Sequence, residues 1–263
     1  MLPKRLLKAD TSIWLIVMIK YAIIIQARMG STRRAGKISY EILGKPLLQH
    51  QINRLKSGSD LPIIIATTDQ AADNWTVSFA HDIGVPVFSG SEDDVMQRYI
   101  MAAEKFGVEN IIRIGGDDPL IDPQVVNNLV STHQHCNTDF VYASHRNGWI
   151  YGTAAELITL EALKRAYPTV NNACDKEHVV SYIRKNHSFS KHKISPIHNS
   201  LIRYDIFLSV DYQEDLDLVE QILTHFSKQG KLYTFTQQEL IELYDSGKLN
   251  ITNKHLHEPF DEE

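Results

Sequence analysis

Cysteine is nearly missing from this chain: only Cys136 and Cys174 occur among its 263 residues. That excludes a disulfide framework and makes a reducing, cytoplasmic setting the expectation. Long apolar stretches are missing too. The run "IWLIVMI", residues 13–19, is far shorter than the roughly 20 residues a membrane-spanning helix needs. No small-residue cleavage site follows it, so it does not read as a signal peptide, and no membrane partner is expected. Positive charge is in deficit, with 27 Lys and Arg against 32 Asp and Glu. A net charge of −5 argues against a broad nucleic-acid-binding face and confines positive potential to local clusters. Repeats and low-complexity tracts are also lacking. What is present is an ordinary globular composition, 43% apolar and 22% charged, at a length that suits one large domain or two small ones.

Met18 stands immediately before the first strand-like run, "YAIIIQ". Residues 1–17 therefore read as a dispensable extension. Residues 256–263 read as an acidic, frayed tail.

Between these limits, strand-like and helix-like segments alternate. "YAIIIQ", "LPIIIATTD", "VPVFSG", "ENIIRIGGDDPL" and "TDFVYAS" are strands. The helices are "KPLLQHQINRLK", "AADNWTVSFAHDIG", "SEDDVMQRYIMAAEKFG" with Ser91 as its N-cap, and "DPQVVNNLVSTHQH" with Pro123 in its first turn. This βαβα order predicts an α/β doubly wound, mostly parallel sheet with helices on both faces. Ligands of such sheets bind beyond the carboxyl ends of the strands. From about His145 the alternation breaks. "KEHVVSYIRKN" reads as one helix, and "IRYDIFLSVDYQEDLDLVEQILTHF" as a strand, a turn and a long helix.

Two features carry chemistry. The first is the loop "QARMGSTRRAGK" behind the first strand. It is not a P-loop, because Ser31 occupies the place of the first glycine and Ile38 that of the Ser/Thr. It is not a dinucleotide fingerprint either, since Gly30 and Gly36 are too far apart. It does bring Arg28, Arg33, Arg34 and Lys37 together with small residues (Gly30, Ser31) whose backbone N–H groups can approach an anion. A solvated basic turn is the alternative. The second feature is a pair of acids, Asp117 in "GGDDP" and Asp211 in "FLSVDYQEDL", each placed after a strand-like run. Mg²⁺ uses one or two protein carboxylates plus substrate oxygens, so two such acids opposite a basic loop suit a nucleotide–Mg²⁺ site. Turn-forming and helix-capping roles are the alternative for both acids.

The ordered motifs "IIIQARMGSTRRAGK", "IIIATTD", "VPVFSGSEDDVMQRY", "IRIGGDDPLIDP", "DKEHVVSYIR" and "SVDYQEDLDLV" resemble the cytidylyltransferase-like proteins of spore-coat polysaccharide biosynthesis protein F. These are relatives of the CMP-ketodeoxyoctonate and CMP-acylneuraminate synthetases. The resemblance implies a Rossmann-like nucleotide-diphospho-sugar transferase fold and synthesis of a CMP-sugar from CTP. It implies a single domain over 18–255, with 145–203 a substrate and dimerisation insertion that interrupts the sheet, and a homodimer. Carried over by position, Arg28, Gly30, Ser31, Arg33 and Lys37 would hold the nucleotide phosphates, with Arg33, Lys37 and Asp117 catalytic. Asp117 and Asp211 would bind Mg²⁺. Glu156, Glu177 and His178 would serve the acceptor sugar.

The chain departs from the family pattern. Arg34 and Ala35 replace Leu and Pro, Asp118 replaces Cys, and Ala154 stands where relatives tend to carry an Asp two residues before the glutamate. A glycosyltransferase of related fold and a non-catalytic binding protein are the alternative functions. Of the weaker signals, "HQHC" lacks zinc-like spacing. Trp149 and Tyr151 could meet a sugar or pack an interface.

Overall fold

The structure is a computed structural model that describes residues 18–31 and 33–257. The expectation for residues 1–17 lies outside the described residues.

A seven-stranded sheet organises the molecule in the order β5-β4-β1-β6-β8-β7-β9. Strands β1 (Ile19–Gln26), β4 (Ile63–Thr68), β5 (Val87–Gly90) and β6 (Val108–Gly115) run parallel. β8 (Glu156–Thr159) is antiparallel to both β6 and β7 (Phe140–Tyr142), and β7 pairs in parallel with β9 (Lys191–Lys193). A small hairpin of β2 (Glu41–Ile42) and β3 (Lys45–Pro46) stands apart. The mostly parallel mixed sheet is the one the alternation predicts.

β1 shows why helices cover both faces. Its run Tyr21–Ile25 is buried throughout, as a parallel strand between two helical layers must be. Side chains alternate across a strand. Ile23 and Ile25 therefore pack on one side with α1 (Leu47–Gly58), α2 (Asn74–Asp82) and α4 (Pro123–Cys136). Ala22 and Ile24 pack on the other with α3 (Val95–Phe106), α5 (Leu160–Ala166) and α7 (Ser181–Lys185). A third core gathers α8 (Gln213–Lys228) and α9 (Gln237–Asp245) around Leu208 and Val210.

Five expectations change. The N-cap of α3 is Asp94, whose side chain accepts from the Gln97 amide, and not Ser91. "KEHVVSYIRKN" is not one helix. α6 (Ala173–Glu177) and α7 are separated at His178–Val180, where Val179 adopts φ 52°, a left-handed conformation that β-branched residues avoid. Residues 145–203 do not interrupt the sheet but supply β8 and β9. The stretch before Asp211 is extended and buried, yet it joins no sheet. It makes one bridge, Tyr151 to Phe207. The tail boundary also moves, because His257 is packed against the fold.

Candidate active site

The cleft forms where β1 and β6 end side by side. The Gly116 amide donates to the Gln26 carbonyl at 2.8 Å, and a Cβ on Gly116 would lie 3.0 Å from that same oxygen. Only glycine lets this turn lie so close to β1, and the close approach swings Asp117 over the basic loop. The Gln51 amide, reaching up from α1, donates to the carbonyls of Gly115 (2.6 Å) and Asp118 (2.9 Å) and fixes the turn from beneath. The Val210 amide donates to the Asp117 carbonyl at 2.8 Å. That single backbone bond brings two distant stretches of chain side by side. Gly152 permits a similar approach: at φ 90° its hydrogen faces the Leu208–Ser209 peptide, where a Cβ would overlap the Leu208 carbonyl carbon at 2.6 Å.

Lys37 is the hub. Its Nζ donates to Asp117 Oδ2 at 2.7 Å and to Asp211 Oδ1 at 2.8 Å, and the residue is only 6% exposed. Burial alone would lower its pKa, but the two carboxylates outweigh burial and hold it above the ordinary lysine value. Arg33 reaches Asp211 Oδ2 at 3.2 Å, so Asp211 is shared by two cations. Arg28 lies between Glu92 (3.6 Å) and Glu177 (3.8 Å). Beside the hub, burial and the neighbouring Asp117 charge push Asp118 up to about 8.

Two cavities meet at this hub. One, of about 340 Å³, is lined by Arg28, Ser31, Arg33, Lys37, Asp117, Glu177, His178 and Asp211. The other, of about 360 Å³, is lined by Arg113, Asp118, His145, Arg146, Tyr151, Ala154, Glu156 and Arg184. Arg33, Arg113, Gly115, Asp117 and Asp211 border both. The sequence-predicted residues are thus brought together, with three differences. Gly30 borders Glu92 and not the cavity. Glu177 and His178, expected to serve the acceptor sugar, line the basic-loop cavity and not the cavity that Glu156 lines. Glu156 does line the second cavity, but its carboxylate is held by Arg113 Nη1 at 3.0 Å and by Arg184 Nη2. Its register opposite Arg113 in the β6–β8 pair creates the first contact. Glu156 therefore orients two arginines.

Arg113 and Arg184 escaped the sequence reading. A charge inside the buried run "IIRIGG" was a usable signal for Arg113, since an arginine in a covered strand needs a partner. Arg184 offered none, because its role depends on the break at Val179. Of the weaker signals, His133 is buried with the Tyr21 hydroxyl 3.0 Å from its Nδ1. Trp149 is core, donating its Nε1–H to the Ile194 carbonyl at 3.0 Å. Among the described residues no group of three His, Cys, Asp or Glu side chains converges as a self-sufficient metal cage. None of the described helices is long and apolar enough to cross a membrane.

Known proteins share this fold. The model of a family described as cytidylyltransferase matches residues 22–243. The chain belongs to the cytidylyltransferase family. As a member it is a nucleotidyltransferase. It is 33% identical over 204 residues to an uncharacterized protein of Methanocaldococcus jannaschii, covering 77% of this chain and 83% of that one. It is 26% identical over 231 residues to spore coat polysaccharide biosynthesis protein SpsF of Bacillus subtilis, covering 84% and 92%. The solved structure of a cytidylyltransferase from Leptospira borgpetersenii superposes with a TM-score of 0.80 at 28% identity, covering 87% of this chain and 94% of that one.

Proposed function

We propose that this cytidylyltransferase joins the CMP moiety of CTP to a hydroxyl of an acidic sugar, releases pyrophosphate, and requires Mg²⁺. The observation that carries the reading is the Lys37 hub. One cation is held by two carboxylates at the mouth of a basic loop, between two cavities. The Lys37 ammonium shows that the two carboxylates can share one cation between them. Both carboxylate oxygens lie within hydrogen-bonding reach of that one point, hence within about 5.5 Å of each other. Two carboxylates without a third protein ligand suit Mg²⁺, which fills its octahedron with phosphate oxygens and water. Asp117 and Asp211 would hold the ion, which supplies charge neutralisation to the triphosphate.

The chain's own residues do the rest. Arg28, Arg33 and Lys37 neutralise and orient the triphosphate in the first cavity. The acceptor hydroxyl approaches the α-phosphorus from the second cavity, its oxygen forming the new bond as the bond to pyrophosphate breaks and its proton passes to water. Positioning and charge are enough for such a transfer, and no covalent nucleophile is needed. One end of the acceptor cavity suits an acidic group: there Glu156 carries one negative charge between the two positive charges of Arg113 and Arg184, and Ala154 beside it adds none. The likeness to a spore coat polysaccharide biosynthesis protein supports a role in surface glycan synthesis. A homodimer built on residues 145–203 is part of the same reading, supported by the exposure of Ile197 (70%) within that segment and Tyr204 (46%) beside it. Light scattering should give twice the 30.0 kDa chain mass.

The test is incubation with CTP, Mg²⁺ and a panel of acidic sugars, followed by assay of pyrophosphate and of CMP. Pyrophosphate formed only when a sugar is present is the expected result. Free CMP from a CMP-sugar would make the protein a glycosyltransferase. Binding without turnover across the panel would make it a non-catalytic partner.

A further inference from the structure

We infer that the C-terminal segment Asn253–His257 is a positioning element for Asp211, acting through the buried carboxylate of Asp215. This rests on the reading of Asp211 as a site residue.

Asp215 lies in the first turn of α8 and is fully buried. Its Oδ2 accepts from the Asp211 and Tyr212 amides, both at 2.9 Å. Those amides set the backbone that aims Asp211 at Lys37. The other oxygen, Oδ1, accepts from Asn253 Nδ2 at 2.8 Å and lies 2.7 Å from His257 Nε2. Asn253 is fully buried, and its Nδ2 also donates to the Phe207 carbonyl at 2.9 Å. The His257 ring stacks on Phe207 at 4.7 Å and 8° between planes. Phe207 in turn makes the bridge to Tyr151, which lines the acceptor cavity. One carboxylate therefore holds the Asp211–Tyr212 backbone by one oxygen and the tail by the other, while Asn253 ties the tail to Phe207.

A buried carboxylate needs all its partners, because losing one leaves charge uncompensated in a low-dielectric setting. Without Asn253 or His257, Asp215 would be free to turn away from the two amides, and Asp211 would lose its aim while keeping its charge. A terminal segment whose polar atoms served only packing would not be expected to converge on the residue that holds the site.

The test uses the full chain with three single substitutions. His257→Leu and Asn253→Ala each remove a donor to Asp215. His257→Gln places an amide nitrogen near the position of Nε2. Hydrogen–deuterium exchange of the metal-free protein reads the peptide holding Asp211 and Tyr212 against a β1 peptide. We expect His257→Leu and Asn253→Ala to speed exchange at Asp211–Tyr212 about tenfold with β1 unchanged, and to lower kcat about tenfold at saturating CTP. His257→Gln should restore most of both. Arg203→Ala, which removes exposed pairs to Asp205 and Asp245 in the same region, should leave kcat unaltered at any loss of Tm. Unchanged local exchange in both donor-removing variants would overturn the inference. So would faster exchange with an intact kcat, provided Asp211→Asn is inactive. Full activity of Asp211→Asn would instead overturn the reading of Asp211 itself and the inference with it.

Discussion

The two sides of the cleft hold their charges in different ways. On the proposed nucleotide side three cations of the basic loop rest on acids, of which Asp117, Asp211 and Glu177 line the cavity. Lys37 rests on Asp117 and Asp211, Arg33 on Asp211, and Arg28 on Glu92 and Glu177 at distances too long for firm hydrogen bonds. On the proposed acceptor side, Glu156 is wedged between Arg113 and Arg184, which engage its two carboxylate oxygens separately, and Arg184 lies over the Tyr142 ring at 5.0 Å. The first network is one of exchangeable partners, in which phosphates can replace carboxylates around arginine and a metal ion can replace an ammonium between carboxylates. The second is built in, and what it presents to a ligand is the outer edge of two arginines. A site that must take up and release a highly charged nucleotide is served by the first kind. A site that selects one acceptor is served by the second.

The largest effect that tests this contrast is expected at Asp211. Asp211→Asn keeps the shape and removes the charge from the exchangeable network. Pyrophosphate release should fall by roughly 10²–10³-fold, the scale seen when one preorganised electrostatic group is removed from an active site. The loss of Tm should be moderate, because Lys37 keeps Asp117 and Arg33 is exposed. A large Tm loss with near-normal turnover would make Asp211 a structural residue. Lys37→Ala comes next. A charge-assisted contact contributes about 1.5–3 kcal/mol, so calorimetry should show CTP·Mg²⁺ binding weakened by roughly ten- to a hundredfold. Arg34→Ala should change it little, since Arg34 lies over the Tyr40 ring at 5.7 Å and lines neither cavity. Equal losses for Lys37 and Arg34 would mean that the loop acts only through its summed charge.

The same contrast explains how much could be read from the sequence. β1, β4, β5 and β6 declare themselves, because each is a short apolar run bounded by helix signals, and a parallel sheet needs little more. The nucleotide side hangs from the ends of these strands, so Arg28, Arg33, Lys37 and Asp117 could be named together. The acceptor side depends on pairings that no local pattern encodes. Glu156 meets Arg113 only because β8 enters the sheet antiparallel, and Arg184 arrives only because Val179 breaks what reads as one helix. Asp211 was found for a reason only half right. The run "IFLSV" is extended and buried, but the bond from the Val210 amide to the Asp117 carbonyl, and not a sheet strand, sets its place. The roles of Asp215 and His257 were not legible, since a helix-start acid and a tail histidine are ordinary in any sequence.

Glu156→Gln sharpens the acceptor half of the comparison. It leaves two half-buried guanidinium groups without their shared carboxylate, which costs less than the roughly 3 kcal/mol of a fully buried pair. Tm should fall, the KM for the acceptor should rise about tenfold as Arg113 and Arg184 lose their alignment, and the Kd for CTP should stay within a factor of two. A change in CTP affinity as large as the change in acceptor KM would mean that the two sides are not separate networks.

The smallest expected effect is the most specific to an exchangeable network. In the metal-free protein, Asp117 competes with phosphate for the Lys37 ammonium. Asp117→Asn removes that competitor, so CTP binding measured in chelator should become tighter, the reverse of what losing a site residue usually does. The gain is small for two reasons. The Asp117 side chain is 34% exposed, and an ion pair in that setting is screened to about 1 kcal/mol or less, or about fivefold in affinity at most. Asp211 also keeps its own 2.8 Å contact with Lys37. With Mg²⁺ present the sign should reverse, because the same substitution removes a ligand to the ion. Calorimetry of wild type and Asp117→Asn, each with and without Mg²⁺, gives four affinities, and the prediction is that the two pairs differ in opposite directions. Weaker binding in both conditions would show that Asp117 supports the nucleotide even without metal. Lys37 would then be held by Asp117 in a phosphate-ready position, and the nucleotide side would be as fixed as the acceptor side.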